Sequence, residues 1–358
     1  MSGIDGHFTL RRGDFVLEAT FQAPARGVTA LFGPSGCGKS TLLNCIAGLE
    51  PAARGTLRIN DELWQDSELR VFVPAHRRRV GYVFQDAGLL AHLSVRGNLE
   101  YGMKRALRMR SGAAFSRTVE WAGIGPLLGR RTQGLSGGER SRVAMACALL
   151  RDPVMLLMDE PLAALDARSR IELLPFLERL RDELPIPVLY VSHAIDEVAR
   201  LADYLVNLEP GRVVAHGNLR EMLTRLDLPL ARSDEAAAIL DATVAGYDEQ
   251  FQLALIAFPG GHLAIPQQRL PEGTAVRVRI LARDVSLSLE HHRNTSILNI
   301  FPVRVLEITA DRPAQAIVKL DASGALLLAR VTRRSVHLLG LGPGAKVYAQ
   351  IKSVALLR

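Results

Sequence analysis

The sequence GPSGCGKST occupies residues 33–41, between an apolar run that ends at Phe32 and a segment with helical character. The stretch consists of Gly33, Pro34, Ser35, Gly36, Cys37, Gly38, Lys39, Ser40 and Thr41. Its glycines allow backbone N–H groups to curl around phosphate oxygens, and the helix N-terminus adds partial positive charge. Lys39 can reach the terminal phosphates of a nucleotide, and the Ser40 hydroxyl can bind Mg²⁺. The strand–loop–helix context therefore predicts a phosphate-binding loop.

Two carboxylates end an apolar run in the middle of the chain. Residues 154–158 read VMLLM, which is typical of a buried strand, and Asp159 and Glu160 follow directly. Without a phosphate loop in the same chain, such a pair would more simply cap a helix. Beside that loop, we expect Asp159 to hold Mg²⁺ and Glu160 to orient and polarise the attacking water.

A second glycine-rich stretch precedes a helical segment at residues 141–150. It consists of Leu135, Ser136, Gly137, Gly138 and Glu139. A serine and two glycines at a helix start can form another anion cradle. Two cradles in one chain indicate a nucleotide clamped between two copies arranged head to tail, so that each copy completes the site of the other.

The order of these motifs resembles that of ATP-binding cassette (ABC) ATPases. Gln85, after the strand-like GYVF, is similar to the Q-loop glutamine of that family. The stretch Ala164-Leu165-Asp166 resembles its D-loop, and His193, after LYVS, resembles its switch histidine. The resemblance covers roughly residues 1–225.

This resemblance implies that ATP is the substrate and Mg²⁺ the cofactor. It implies catalytic roles for Glu160, His193 and Gln85. Mg²⁺ would be bound by Ser40, Gln85 and Asp159. Residues 135–139 would act in trans as the signature motif, and Asp166 would belong to the D-loop. The aromatic side chain that would stack on adenine is not decided by the sequence. Phe8 and Phe15 are candidates, and a position in the core is the commoner one for a phenylalanine.

Alternating strands and helices up to about residue 228 predict an α/β fold, a P-loop NTPase cassette with a mostly parallel sheet. Residues 86–134 lack a strand pattern and are predicted to form a helical insertion or subdomain. Residues 229–236 are predicted to be a linker. Beyond them, short β runs separated by glycine and proline turns predict small, OB-like all-β barrels, one module at 237–290 and another at 291–358. The second of these resembles the Mop/TOBE-like barrels of importer ATPases.

Finer features resemble the ATPases of bacterial importers, in particular the molybdate branch. The stretches that carry this resemblance are residues 95–102, 172–175, 283–287 and 294–357. The resemblance implies an ATPase that powers import of molybdate or tungstate. It also implies a homodimer under two membrane permease subunits, an external molybdate-binding protein, and a peripheral location at the cytoplasmic face of the inner membrane.

The C-terminal barrel of this branch implies a possible oxyanion site. Hydroxyl groups and cationic side chains suit a tetrahedral dianion, and Ser296, Arg304 and Lys319 are the candidates. Leu298 stands where such barrels often carry an arginine. A barrel that regulates or dimerises without binding a ligand is therefore an equally good interpretation.

Composition limits the remaining alternatives. The chain has 358 residues, of which 48% are apolar and 23% charged, as in ordinary globular proteins. A net charge of +7 and only 5% aromatic residues do not form a nucleic-acid-binding stripe, so no nucleic-acid partner is expected. Three cysteines do not make a disulfide framework, and no apolar run reaches the roughly 18 residues of a membrane span. The alternatives left open are another cargo (sulfate, sugar or iron) and a soluble ABC ATPase acting on nucleic acid.

Overall fold

The computed structural model describes residues 3–106, 111–163 and 165–357. The chain divides into two compact units, Met1–Gly217 and Asn218–Arg358. The first unit combines strands with helices, and the second is dominated by strands. This order confirms the predicted succession of an α/β part and an all-β part. No helix in the described ranges is long and apolar enough to cross a bilayer.

One eleven-stranded sheet runs through the described part of the first unit. Its strands are β1 Ile4–Arg12, β2 Phe15–Ala23, β3 Gly27–Phe32, β4 Arg54–Ile59, β5 Glu62–Asp66, β6 Val71–Phe72, β7 Val80–Val83, β8 Met155–Asp159, β9 Pro187–Val191, β10 Tyr204–Glu209 and β11 Arg212–Asn218. The α-helices are α1 Lys39–Ala47, α2 Val95–Lys104, α3 Gly112–Ala122, α4 Gly137–Leu150, α5 Ala167–Glu183 and α6 Ile195–Leu201. Short 3-10 helices lie at Ala75–Arg77, Gly125–Leu127 and Thr132–Gly134.

The centre of this sheet is parallel, in the order β10, β3, β9, β8, β7. Strands β8 and β9 are apolar and buried along almost their whole length, as expected of strands covered on both faces. Helix α1 contributes Leu43 and Ile46 to the core, where Phe8 and Phe21 from β1 and β2 belong to the same cluster. The phosphate loop is thus anchored by buried elements on both sides.

The other end of the sheet is an antiparallel arm, in the order β6, β5, β4, β1, β2. This arm differs from the predicted, mostly parallel sheet. Two-residue turns join β1 to β2 and β4 to β5, and such turns connect only antiparallel strands. In the second turn, Asn60 and Asp61 both have positive φ, 45° and 69°, which is typical of a type I′ hairpin.

Residues 86–134, the segment predicted to be a helical insertion, contain α2 and α3 within their described part. Serine caps start both helices. The Ser94 hydroxyl accepts the N–H of Gly97, and the Ser111 hydroxyl accepts the N–H of Ala114. Both helices pack against α4.

A buried arginine ties the antiparallel arm to α1. Arg78 is 2% exposed, and its Nη1 donates to the carbonyl oxygens of Cys45 and Ile46 at 2.9 and 2.6 Å. Both carbonyls lie in the last turn of α1, where intrahelical donors run out, and that of Cys45 also accepts the N–H of Gly48 at 3.0 Å. Nε and Nη2 donate to Val73 and Gln65 in the arm. Burial lowers the pKa of Arg78 to about 10, which leaves the guanidinium charged at neutral pH.

We expect Arg78→Ala to lower the free energy of unfolding of the first unit by about 3 kcal/mol or more. The reason is that Ile46, Val73 and Gln65 each lose a donor, and a buried acceptor left without one costs roughly 1–3 kcal/mol. Both tryptophans, Trp64 and Trp121, lie in this unit, so their fluorescence during urea unfolding reports on it alone. Arg77→Ala is the matched control, because Arg77 is exposed and its loss should stay within about 0.5 kcal/mol. Equal losses for both variants would contradict the anchoring role of Arg78.

The second unit consists, in its described residues, of two five-stranded antiparallel sheets with short helices. Its strands are β12 Ala237–Asp248, β13 Leu253–Phe258, β14 Gly261–Pro266, β15 Ala275–Leu281, β16 Val285–Ser288, β17 Asn299–Arg312, β18 Gln315–Ala322, β19 Ala325–Thr332, β20 Lys346–Ile351 and β21 Ala355–Leu357. The helices are α7 Leu219–Leu223 and α8 Arg333–Leu338, with 3-10 helices at Pro229–Arg232 and Ala282–Asp284. The strand orders are β14-β13-β12-β15-β21 and β16-β20-β17-β18-β19.

The two sheets of this unit exchange strands and share one core, which differs from the predicted division into modules 237–290 and 291–358. Strand β16 pairs with β20 in the second sheet, and β21 pairs with β15 in the first. The rings of Phe258 and Phe301 meet edge to face across the shared core, with centroids 5.1 Å apart. The two predicted modules therefore interlock, because these pairings join segments that are distant in sequence.

Residues 229–236, predicted to be a linker, pack against the second unit. Ala231 and Ala236 belong to a buried cluster with side chains from two strands of the unit. Arg330 Nη2 donates to two backbone carbonyls of the segment, at 3.1 and 2.6 Å. The boundary between the units therefore lies at Gly217, before the predicted end of the cassette at residue 228.

Candidate nucleotide-binding site

Four parallel strands end at the same edge of the sheet of the first unit, and each carries a predicted site residue there. The phosphate loop follows β3, and Asp159 is the last residue of β8. His193 lies two residues beyond β9, and Gln85 lies two residues beyond β7. The carboxyl edge of a parallel sheet is the usual place for a ligand in folds of this type.

The phosphate loop is closed around the side chain of Lys39. Lys39 is 5% exposed, and its Nζ donates to the carbonyl oxygens of Gly33 and Pro34, both at 2.9 Å. This buries the ammonium group on the inner side of the loop, from where it can reach phosphate oxygens. Ser35, Cys37 and Thr41 complete the loop, and the N–H of Cys37 donates to Pro34 at 3.3 Å.

Two glycines of this loop are required by its geometry. A Cβ on Gly33 would lie 2.3 Å from the carbonyl oxygen of Leu208, far inside van der Waals contact. Gly38 has φ +108°, and its Cβ would lie 2.9 Å from the ring of Phe15. A side chain at either position would therefore collide with the surrounding protein, and at Gly38 it would also strain the backbone. The residues of the phosphate loop fit the phosphates of a nucleoside triphosphate.

The proximity of Phe15 to Gly38 distinguishes the two aromatic residues that could stack on adenine. Phe8 is fully buried in the core of the first unit. Phe15 is half-buried at the start of β2, with its ring tip against Gly38 of the phosphate loop. Of the two, Phe15 therefore combines an accessible ring with a place beside the phosphate loop.

A hydrogen bond joins the loop to the carboxylate pair. The Ser40 Oγ donates to Asp159 Oδ1 at 2.9 Å. Burial raises the pKa of Asp159, and the neighbouring Glu160 raises it further, while the Ser40 hydrogen bond and Lys39 act in the opposite direction. A hydroxyl and a carboxylate are hard oxygen donors of the kind that Mg²⁺ prefers, so the pair fits this ion.

Glu160 has an unusual backbone. Its φ of +46° lies in the left-handed region, which is uncommon outside glycine and is often found at functional sites. Its N–H donates to the carbonyl oxygen of Val191 at the end of β9, at 3.1 Å. Its Oε1 lies 3.3 Å from Nδ1 of His193, whose side chain is 57% exposed. The structure thus brings Glu160 and His193 together at the mouth of the site.

The predicted signature stretch forms the start of α4. Ser136 and Glu139 make a capping box: the Ser136 hydroxyl accepts the N–H of Glu139 at 3.2 Å, and Glu139 Oε2 accepts the N–H of Ser136 at 2.8 Å. A Cβ on Gly137 would lie 2.5 Å from the tip of the Leu165 side chain, so a larger residue here would have to displace that side chain. Ser136 is exposed, and the hydrogen bonds of its capping box leave the outer side of the turn open to solvent.

The predicted D-loop leads into α5. Asp166 is the N-cap of this helix and accepts the N–H and the hydroxyl of Ser169, at 3.0 and 2.9 Å. These hydrogen bonds lower the pKa of Asp166. Ala164, the first residue of the predicted motif, lies outside the described residues.

A buried carboxylate behind His193 was not predicted from the sequence. Glu197, in the first turn of α6, is 7% exposed and accepts hydrogen bonds from Tyr190 and Ser192. The only signal for it in the sequence is a carboxylate four residues after the predicted switch histidine, and that spacing alone does not indicate burial.

The three oxyanion candidates in the second unit do not converge. Ser296 is exposed before β17, and Arg304 on β17 faces Asp321 across the strand pair. Lys319 is opposite Glu307 in the same pair. Arg304 lines an open cavity of about 530 Å³, and neither Ser296 nor Lys319 lines it. The carboxylates beside both cations weaken their attraction for an anion.

Comparison with known proteins agrees with this geometry. The ABC transporter family profile matches residues 16–163, and the TOBE domain profile matches residues 295–357. A protein named Molybdenum import ATP-binding protein ModC from Albidiferax ferrireducens is 53% identical over 356 residues, covering 99% of this chain and 96% of that protein. A protein of the same name from Thiobacillus denitrificans is 55% identical over 357 residues, covering 99% of this chain and 98% of that protein.

Solved structures show the same cassette fold. CbiO1 from Clostridium perfringens, part of the ABC transporter complex cbiONQ, matches with a TM-score of 0.53 and 26% identity, covering 63% of this chain and 91% of that one. An ATP-binding cassette solved as a dimer in a post-hydrolysis state with ADP and Pi matches with a TM-score of 0.50 and 27% identity, covering 62% of this chain and 99% of that one.

The fold and the site together define an ATP-binding cassette ATPase. Within that class, the chain belongs to the family of molybdenum import ATP-binding proteins, since the identity to its members exceeds one half along almost the full length of both chains.

We expect Asp159→Asn to raise the thermal unfolding midpoint of the nucleotide-free first unit at about pH 8. Burial makes the carboxylate costly to ionise, and the amide of the variant keeps an oxygen that can accept the Ser40 hydroxyl. Because the folded pKa is raised, ionisation of Asp159 makes the fold less stable as pH increases through that pKa. The gain of the variant over the wild type should therefore grow from about pH 4, near the ordinary Asp pKa, and level off once the pH exceeds the raised pKa of the folded protein. Tryptophan fluorescence melts measure it, and a pH-independent difference would contradict the burial argument.

Proposed function

We propose that this chain is the ATP-hydrolysing subunit that powers molybdate import through a membrane ABC transporter. The observation that carries the proposal is the edge site, in which a closed phosphate loop lies beside the Asp159–Glu160 pair and His193. Similarity over the whole chain to proteins named for molybdenum import supports the cargo. The catalytic site itself contacts ATP and not the cargo, so molybdate rests on that similarity.

Hydrolysis requires an activated water and a stabilised γ-phosphate. Glu160 is the general base, because its carboxylate lies at the mouth of the site and polarises the attacking water. His193 turns Nδ1 towards Glu160. Its opposite ring nitrogen is thereby left to donate a hydrogen bond to the γ-phosphate. Lys39 interacts with the β- and γ-phosphates from inside the loop.

The metal and the base are held by neighbouring groups. Ser40 and Asp159, with Gln85 at the same edge, hold Mg²⁺, which neutralises charge on the phosphate oxygens when bound. Phe15 contacts the adenine ring, because it is the accessible aromatic ring beside the phosphate loop. Gln85 is exposed just beyond β7, which suits a residue that responds to the bound nucleotide.

Two copies of the chain bind ATP between them, head to tail. Residues 135–139 of one copy face the phosphates held by residues 33–41 of the other. In support, Ser136 is exposed at the start of a fourteen-residue helix. A similar cassette has been solved as a dimer with hydrolysis products bound. Asp166, an exposed helix cap, belongs to the same contact region.

The dimer acts as a peripheral protein at the cytoplasmic face of the inner membrane. Its partners there are two permease subunits, and an external molybdate-binding protein delivers the oxyanion. The names of the relatives, which specify import, support this arrangement. The second unit serves regulation or dimerisation, because Arg304 and Lys319 face carboxylates rather than a shared anion pocket.

Reconstitution with the permease subunits and the molybdate-binding protein in lipid vesicles tests the function. We expect molybdate to stimulate ATP hydrolysis and sulfate to leave it at the basal rate. Glu160→Gln should lower hydrolysis by about 100-fold or more, because the amide cannot act as a base, while ATP binding persists. Stimulation by sulfate instead would assign a different cargo, and normal hydrolysis by the variant would contradict the role of Glu160.

Mixing two variants tests the head-to-tail arrangement. In a dimer of one Ser136→Arg chain and one Glu160→Gln chain, the trans geometry leaves one site intact and places both defects in the other. We expect about half of the wild-type ATPase activity per mixed dimer if the sites work independently. Each homodimer alone should be inactive, which is the control. If Ser136 acted within its own chain, each site would carry one defect and the mixture would be inactive.

A further inference from the structure

A buried carboxylate lies directly behind the turn that carries His193. Glu197 is 7% exposed. Its Oε2 accepts the hydroxyl of Tyr190 at 2.8 Å and that of Ser192 at 2.7 Å. A charge in such surroundings costs solvation, and an apolar side chain would fill the same space without that cost. The arrangement therefore calls for a role beyond packing.

Ser192 links this carboxylate to both sides of the histidine. Its side chain is buried, and its Oγ donates to Glu197 while accepting the N–H of Ala194 at 3.0 Å. One hydroxyl thus holds the residue before His193 and the residue after it. His193 itself is largely exposed, so packing around its ring does not fix its position. The position of the His193 ring therefore depends on the backbone of residues 192–194.

The charge of Glu197 is balanced from α5. Arg170 Nε lies 3.7 Å from Glu197 Oε1 and, among the described residues, has no hydrogen-bond partner. Arg170 lies one turn into the helix that Asp166 caps, and the backbone N–H of Arg170 donates to the backbone carbonyl of Asp166. The carboxylate consequently joins three elements, namely the end of β9, the start of α6 and the start of α5.

We propose that Glu197 is a positioning residue for ATP hydrolysis. Through Ser192 it fixes the turn at residues 192–194, and so keeps His193 against Glu160 and directed at the γ-phosphate. This inference rests on the proposed ATPase function. Glu197 does not touch the nucleotide, so it affects the rate of hydrolysis and leaves nucleotide affinity to the phosphate loop.

Ser192→Ala tests the link, because it removes the hydroxyl and keeps the rest of the turn. We expect kcat for ATP to fall by about tenfold or more, since misplacement of a catalytic group by about 1 Å can cost about 100-fold. The KM for ATP should stay within about twofold, because Lys39 and the phosphate loop are untouched. Ser192→Thr, which retains the hydroxyl, should restore most of kcat. Glu197→Met should behave like Ser192→Ala, because both hydroxyl bonds end on Oε2 and a thioether sulfur of similar size is only a weak acceptor.

Ser288→Ala is the matched control. Ser288 is also buried, and its hydroxyl also accepts the N–H two residues further on, in this case that of Glu290. It lies in the second unit, in no part of the ATP site. We expect this variant to keep the wild-type kcat. A fall in kcat equal to that of Ser192→Ala would overturn the proposal.

A double variant separates positioning from a merely structural role. In a His193→Ala background, Ser192→Ala should lower kcat no further, because the side chain to be positioned is already gone. A full additional loss in that background would overturn the proposal. So would a wild-type kcat in folded Ser192→Ala, with folding checked by tryptophan fluorescence. Failure of the ATPase function itself is distinguishable, because the wild-type protein would then hydrolyse no ATP in the same assay.

Discussion

The parallel pairing of β9 with β3 on one side and β8 on the other is the constraint on which the site depends. Val191, the last residue of β9, is in register with Leu31 on β3 and with Asp159 on β8. Its carbonyl oxygen also accepts the N–H of Glu160. This row of residues brings the phosphate loop, the carboxylate pair and the histidine turn to the same height along the strands. In the chain, more than 100 residues separate the phosphate loop from the carboxylate pair.

The charges at this edge are retained at a cost to the fold. Lys39 is buried against backbone carbonyls, and the pKa of Asp159 is raised because burial disfavours its charged form. Glu160 adds a left-handed backbone that a glycine would adopt with less strain. Such features are tolerated because the surrounding strands are apolar and buried, and Arg78 fixes the end of α1 from the other side. Stability elsewhere in the unit thus offsets local strain at the site.

Sequence predicts those parts of this molecule that local patterns encode. The phosphate loop, the Asp159–Glu160 pair and the strand before His193 are each contiguous, and their order restricts the fold to one class. Phe15 could not be preferred over Phe8 without the contact at Gly38, which depends on how β2 packs. Glu197 was missed because its burial results from the packing of α6 against β9 and α5. The shared core of the second unit was missed for a similar reason, since β16 and β21 pair with strands far away in the chain.

The exchange of β16 and β21 between the two sheets of the second unit also limits how this unit can change over time. A recombination event near residue 291 would separate β16 from β20, and it would separate β15 from β21. Each sheet would lose an edge strand, and Phe258 and Phe301 would each lose the other ring as a packing partner. The two sheets must therefore be inherited as one block, and substitutions on the inner face of one sheet are accepted only when the other can accommodate them.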